Sequence, residues 1–386
     1  MYRVNKPKFQ LFRNSTNSLR TKLLIILIFQ LVVFFPVTQR SESQSPEIPS
    51  KQLLTSSWIL PDIFIPDNPV EYIQLGPTAP EKPVWNIALS SCTARKARRK
   101  TKKYSIPGRI KPFEYGRLER DIWKELVNLK KRKLLVPGDE VSVRILDLTG
   151  GRLLASINAD KKRMAASLIK PFVMLAVYEQ VHRGKLKRNK RLERLLRRMI
   201  VVSNNWATNR LLRILGRGDL KKGLRVVNVV IRKYRFYHTK MVEMIPPGGK
   251  TYKNYTTARD LSRFFYLLYH KRLVSQYYSE LMMKKFLDVR TSRVRTYIVR
   301  KDGSPVADKT GFVCGLNGDA GIVFQSKAIP GGRDYIFVLM IENKNKPHSR
   351  RWRCHKTRVL RRLSNKIYLA FKVHAIEQRG VKVVSL

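Results

Sequence analysis

The sequence predicts an α+β fold: an antiparallel sheet flanked by terminal helices and joined to a helical lobe. Three observations carry this. Strand-like apolar runs cluster at two places, within 141–157 and 320–342. Helical periodicity fills 165–290 between them. Apolar residues at helical spacing also occupy both ends of the same region, at about 115–133 and 355–373.

Taken in order, Leu118, Ile122, Leu126 and Leu129 mark the first helix, which Pro137 and Gly138 end. Val141, Val143 and Ile145 alternate with Ser142 and Arg144, and RLLASIN follows the turn Thr149-Gly150-Gly151, so the two runs read as a β-hairpin. Within the helical stretch, Thr257-Ala258-Arg259-Asp260 forms a capping box ahead of Leu261, Phe264, Phe265 and Leu268. AGIVFQ and YIFVLMIE form a second strand pair around Pro330-Gly331-Gly332, and a final helix closes the pattern. A cleft between sheet and helical lobe is the expected place for chemistry.

Composition narrows the function classes. The 386 residues carry 79 Lys+Arg against 27 Asp+Glu, a formal charge of +52, with 43% apolar and 10% aromatic residues. That apolar content excludes general disorder, and three cysteines exclude a disulfide scaffold. No CxxC or Cys/His spacing of a zinc site occurs, so a structural metal is not expected. A chain this basic is expected to attract anionic polymers or a membrane surface.

Three domains are expected. Residues 1–40 form a basic leader with the uncharged run 23–37, LLIILIFQLVVFFPV, which reads as a signal or a retained anchor and implies export. Residues 41–112 form a Pro-rich linker followed by a basic arm, RKARRKTKK. Residues 113–386 form the folded body, and export argues against nucleic acid as its partner.

Three short motifs stand in that body. Ser167-Leu168-Ile169-Lys170 precedes an apolar helical run, so Lys170, three residues on, shares a face with the Ser167 hydroxyl. A serine becomes a nucleophile only when a base takes its proton, and a lysine is that base only when burial and a neighbouring cation lower its pKa. Ser203-Asn204-Asn205 lies between two apolar helical stretches, where it reads as a proton relay or as a plain helix N-cap. Lys309-Thr310-Gly311 occurs once, on a predicted edge strand. There it offers a second cation, a hydroxyl donor and a glycine that would admit a substrate backbone, or else an ordinary turn.

The order S-x-x-K, S-x-N, K-T-G, together with AASLIK, SNNWATN, TYKNYTTARDL and DKTGFVCGLNGDAGIV, resembles the class A β-lactamase-like family of penicillin-recognising serine hydrolases over about 115–375. The resemblance implies a β-lactamase/transpeptidase-like fold and a serine hydrolase acting on a β-lactam or a D-Ala-D-Ala-like cell-wall peptide, with no metal or organic cofactor. It implies Ser167 as the acylated nucleophile, Lys170 as its base and Ser203 as the proton relay. Asn205, Lys309, Thr310 and Gly311 would bind substrate, and the backbone N–H groups of Ser167 and Phe312 would form an oxyanion hole. The alternative is a catalytically weak, membrane-tethered polyanion-binding protein that keeps the fold.

The sequence departs from the family in three ways. The E-x-x-L-N loop is missing, and Glu243 is either a repositioned base or a loop carboxylate. Asn204 replaces the usual Asp, and only 36 residues separate Ser167 from Ser203. Cys314, near K-T-G, is a small packing residue or a disulfide partner of Cys354 or Cys92.

Overall fold

The structure is a computed structural model that describes residues 117–379. The leader, the run 23–37, the linker, the basic arm and Cys92 lie outside the described residues. The body opens with helix α1 (Arg117–Lys131), followed by strands β1 (Asp139–Asp147), β2 (Arg152–Ile157) and β3 (Arg163–Met164). A 3-10 turn, Ala166–Ile169, leads into α2 (Lys170–His182), α3 (Lys190–Val201), α4 (Asn205–Leu215) and α5 (Leu220–Lys233). Strand β4 (Tyr255–Thr256) and helices α6 (Ala258–Tyr269), α7 (Gln276–Leu287) and α8 (Tyr297–Lys301) come next. The described residues end with β5 (Val306–Val313), β6 (Leu316–Phe324), β7 (Asp334–Asn343) and α9 (Arg350–Glu377).

The five long strands form one antiparallel sheet in the order β2-β1-β7-β6-β5, so the strand carrying Lys309 is an edge, as its sequence suggests. α1 and α9 pack on one face and share a core of Ile122, Leu126, Leu339, Ile341, Leu363 and Phe371. The helical lobe lies on the other face, with α6 against β1 and β7. α2 is apolar almost all round and buried along its length, as a central helix must be. The last helix starts at Arg350, earlier than its apolar pattern begins, because Ser349 caps it by accepting from the Trp352 N–H.

Lys356 on α9 is fully buried and ion-paired to the equally buried Asp139 on β1. Asp139 also accepts from Trp352 Nε1 at 3.0 Å and Asn343 Nδ2 at 2.9 Å, so one carboxylate ties α9 to two strands. Cys314 and Cys354 are free thiols, which removes the disulfide between them.

Candidate active site

The Ser167 region is built by backbone strain. Ala166 has φ 44 and Ser203 has φ 55, both in the left-handed region that costs a non-glycine residue roughly 1–2 kcal/mol. No residue type in the sequence signals this, and such strain collects where the fold must aim a side chain. Ala165 N–H donates to Asn254 O at 2.8 Å, holding the segment just ahead of the strained residue. α2 itself begins at Lys170, so Ser167 sits in the 3-10 turn rather than in the helix proper.

Lys170 is fully buried, and its ammonium donates to Ser203 O at 2.6 Å, Asn205 Oδ1 at 2.8 Å and Ser203 Oγ at 3.1 Å. Three donors thus meet three acceptors. The expected link from Lys170 to the Ser167 hydroxyl is not made in this resting arrangement; the Ser203–Asn205 turn takes every Lys170 proton. Lys309, 1% exposed, reaches across from β5 and donates to Ser203 Oγ at 3.0 Å and to Thr310 O at 2.8 Å. A hydroxyl has two lone pairs, and two ammonium groups occupy those of Ser203. Its own hydrogen is therefore left to point away from both lysines.

Both lysines are pushed toward neutrality. Burial, then the charge of Lys309, holds Lys170 well below the usual lysine range. Burial brings Lys309 down to about 8, with Arg293 adding to the fall while Asp308 and Asp319 oppose it. Those two acids lie on β5 and β6, fully buried. Burial raises both carboxyls, Asp308 well above its usual value with the neighbouring Asp319 adding to it, and Arg293 partly offsets the rise at Asp319.

Strand alternation divides the K-T-G motif. Lys309 and Gly311 face the helical lobe, whereas Thr310 pairs across from Asp319 and Phe312 lies under the Arg353 guanidinium, 4.5 Å from its ring centroid. The glycine has a packing reason that its sequence context does not suggest. A Cβ at Gly311 would lie 2.7 Å from Leu168 Cγ and 3.2 Å from Ala165 O, so this glycine lets the Ser167 turn close onto β5. Phe312 is thereby held one residue from that contact.

Asn204 caps α4, accepting from the Ala207 N–H at 2.7 Å. The N-cap reading of this motif thus applies to Asn204, while Ser203 and Asn205 turn to Lys170.

Glu243 does not reach the lysines. Its Oε1 accepts from Thr251 Oγ1 and from the Tyr252 and Lys253 N–H groups at 2.8–3.0 Å. Burial opposes ionisation there, but those backbone donors and the Thr251 hydroxyl outweigh it and hold the carboxyl below its usual range. Two residues outside the expected set pin the same loop. Asn209 bonds both the N–H and the carbonyl of Ile245, and Asn254 Oδ1 accepts from Val242 N and Glu243 N. Their signal lay in the phrases SNNWATN and TYKNYTTARDL, where the last asparagine of the first and the single asparagine of the second have no other evident task. The loop meets the site at Gly249, where a Cβ would lie 3.0 Å from Asn205 Nδ2.

Residues 121–194 and 188–371 match the family model described as the Beta-lactamase enzyme family. The chain belongs to that family. Among solved structures, this family member is similar to PBP-A, at 20% identity and TM-score 0.53, over 68% of this chain and 98% of that one. It is likewise similar to an ancestral class A β-lactamase, at 19% identity and TM-score 0.52, over 65% of this chain and 100% of that one. A β-lactamase from Sphaerobacter thermophilus aligns at 20% identity and TM-score 0.51, over 65% of this chain and 95% of that one. No curated protein matches the chain. These likenesses establish the fold, and the antiparallel sheet with its helical lobe is the one the sequence led us to expect.

Proposed function

We propose that this protein is an exported serine acyl-transfer enzyme, which forms an acyl-enzyme on Ser167 with a β-lactam or a D-Ala-D-Ala-like peptide. The observation that carries the reading is the meeting of two buried lysines, 170 and 309, on the single hydroxyl of Ser203. Burying two ammonium groups side by side is unfavourable for folding, and a catalytic duty accounts for it. One structural neighbour, a point mutant of PBP-A, is described as an acyl-enzyme complex with penicillin G, which supports the same class of substrate.

In this scheme Lys170, in its neutral form, accepts the Ser167 proton as Oγ attacks the substrate carbonyl carbon. The backbone N–H groups of Ser167 and Phe312 take the developing oxyanion charge. When the C–N bond breaks, Ser203 gives its outward hydrogen to the leaving nitrogen and recovers one from Lys170, so the transferred proton ends on the amine. Lys309, in its charged form, and the Thr310 hydroxyl hold the substrate carboxylate. Asn205 keeps Lys170 in line.

Hydrolysis of the acyl-enzyme needs a second base for water, and Glu243 is committed to its own loop. We therefore expect a long-lived adduct, closer to a penicillin-binding peptidase than to a fast lactamase. Incubation with fluorescent penicillin tests the proposal. Label on the wild-type chain and none on Ser167→Ala is the expected result; an unlabelled wild type, or a Ser167→Ala variant labelled equally, would overturn it.

A further inference from the structure

The positive charge is not spread evenly over the body. Residues 185–233 hold sixteen basic residues and only two acidic ones, Glu193 and Asp219. This segment is the α3–α4–α5 layer of the helical lobe, and its α3–α4 turn carries Ser203 and Asn205.

On α3, Arg194 and Arg198 are exposed; on α4, Arg210 and Arg213 are exposed. Among the described residues none of the four has an acidic partner, unlike Arg188 and Arg197, which pair with Glu193 and Asp288. Between the two rows stands Trp206, 61% exposed, with the Arg198 guanidinium 5.8 Å from its ring. The spacing 206, 210, 213 places the tryptophan and both α4 arginines on one face of that helix. Trp206 adjoins Asn205, so this face starts at the rim of the site and leads away from it.

We infer that this face is a docking track for a flexible anionic glycan, one that carries the acyl substrate into the cleft. The inference rests on the acyl-transfer reading above, since a cell-wall peptide reaches an enzyme attached to its glycan. An exposed indole offers a flat apolar surface on which a ring can stack, and guanidinium groups without acidic partners to either side take up carboxylate or phosphate along the chain. A membrane surface would call for a broad apolar face, and here one tryptophan and Val202 stand among arginines.

The test uses full-length protein in neutral detergent, with sodium alginate as the anionic glycan. Neutral dextran, oligothymidylate and phosphatidylglycerol vesicles serve as comparators, each titrated over a range of salt. The variant R194Q/R198Q/R210Q/R213Q should bind alginate about tenfold or more weakly, with a salt slope shallower by about 3. Trp206→Ala should weaken binding about tenfold with its slope unchanged. A control on the exposed face of α9, R351Q/R358Q/R361Q, should stay within about threefold of wild type, since those charges lie off the track.

Equal losses from both charge sets, or unchanged alginate affinity in the first variant, would overturn the inference. So would losses confined to the vesicles or to oligothymidylate. Penicillin label is read in the same samples. A chain that binds alginate through this face but takes no label overturns the acylation reading alone, and one that takes label but binds through diffuse charge overturns only the track.

Discussion

The Ser203 hydroxyl sits between two cations, and the acyl transfer proposed above needs them to differ in protonation. Lys170 has to be neutral to accept a proton, and Lys309 has to be charged to hold a carboxylate. Because Lys309 is held at about 8, substrate binding should fail as pH rises through that value. On the acid side, acylation should grow as Lys170 loses its proton. The rate of penicillin labelling should therefore describe a bell whose alkaline limb lies near 8, and a rate still climbing at pH 10 would contradict the assignment. Lys170→Ala should slow acylation on the order of 10²–10⁴-fold, the usual worth of a general base.

The same shift has a cost in stability. An ammonium whose pKa falls from 10.5 to about 8 on folding costs roughly 3 kcal/mol below that lower value. Between the two values the unfolded chain binds the extra proton, so the penalty fades as pH rises through the window. Lys309→Met should accordingly stabilise the fold by about 1–3 kcal/mol in urea unfolding at pH 7 while abolishing label. At the level of single residues the motifs named Ser167, Lys170, Ser203, Asn205 and Lys309 as candidates, and the structure joins Lys170, Ser203, Asn205 and Lys309 by hydrogen bonds. The direction of the Lys170 bonds could not be read from the motifs, because it depends on the left-handed backbone at Ala166 and Ser203, where nothing but the fold selects φ.

Among elements, the contact between the Ser167 turn and β5 governs how closely the two halves of the site approach. Leu168 is fully buried, so its Cγ cannot yield to a methyl placed 2.7 Å away. Gly311→Ala should thus lower stability by about 1–3 kcal/mol and suppress label, and the double variant with Leu168→Ala should recover part of both. A double variant no better than Gly311→Ala would show that the glycine serves something else. Strands β1, β6 and β7 were legible because their apolar residues alternate or run together as a sheet requires, and the edge position of β5 followed from its motif. The N-terminal reach of α9 was not legible, since Trp352 and Lys356 look like solvent-facing residues until Asp139 is seen beneath them. Glu243 is a similar case: its loop pattern hid whether it faced the lysines or its own backbone.

At the scale of all the described residues, the fold holds its sheet between two unlike helical layers. One layer, α1 and α9, is locked to the sheet through the Lys356–Asp139 pair. Removing one partner strands a buried charge, so Asp139→Ala should destabilise by about 3–5 kcal/mol in urea unfolding, well beyond an ordinary surface change. The other layer, α3 to α5, brings arginines without acidic partners among the described residues, and an exposed tryptophan, next to the site. Composition raised the expectation of an affinity for polyanions, but only the packing of α3 beside α4 puts Arg198 over Trp206 and makes a face of residues distant in sequence.

The most direct measurement is mass spectrometry of the chain after brief exposure to penicillin G, followed by proteolysis and peptide mapping. The site described above predicts one intact penicillin per chain, on the peptide that holds Ser167, persisting long after free drug is removed. An unmodified chain, or an adduct mapped to any other residue, would contradict it.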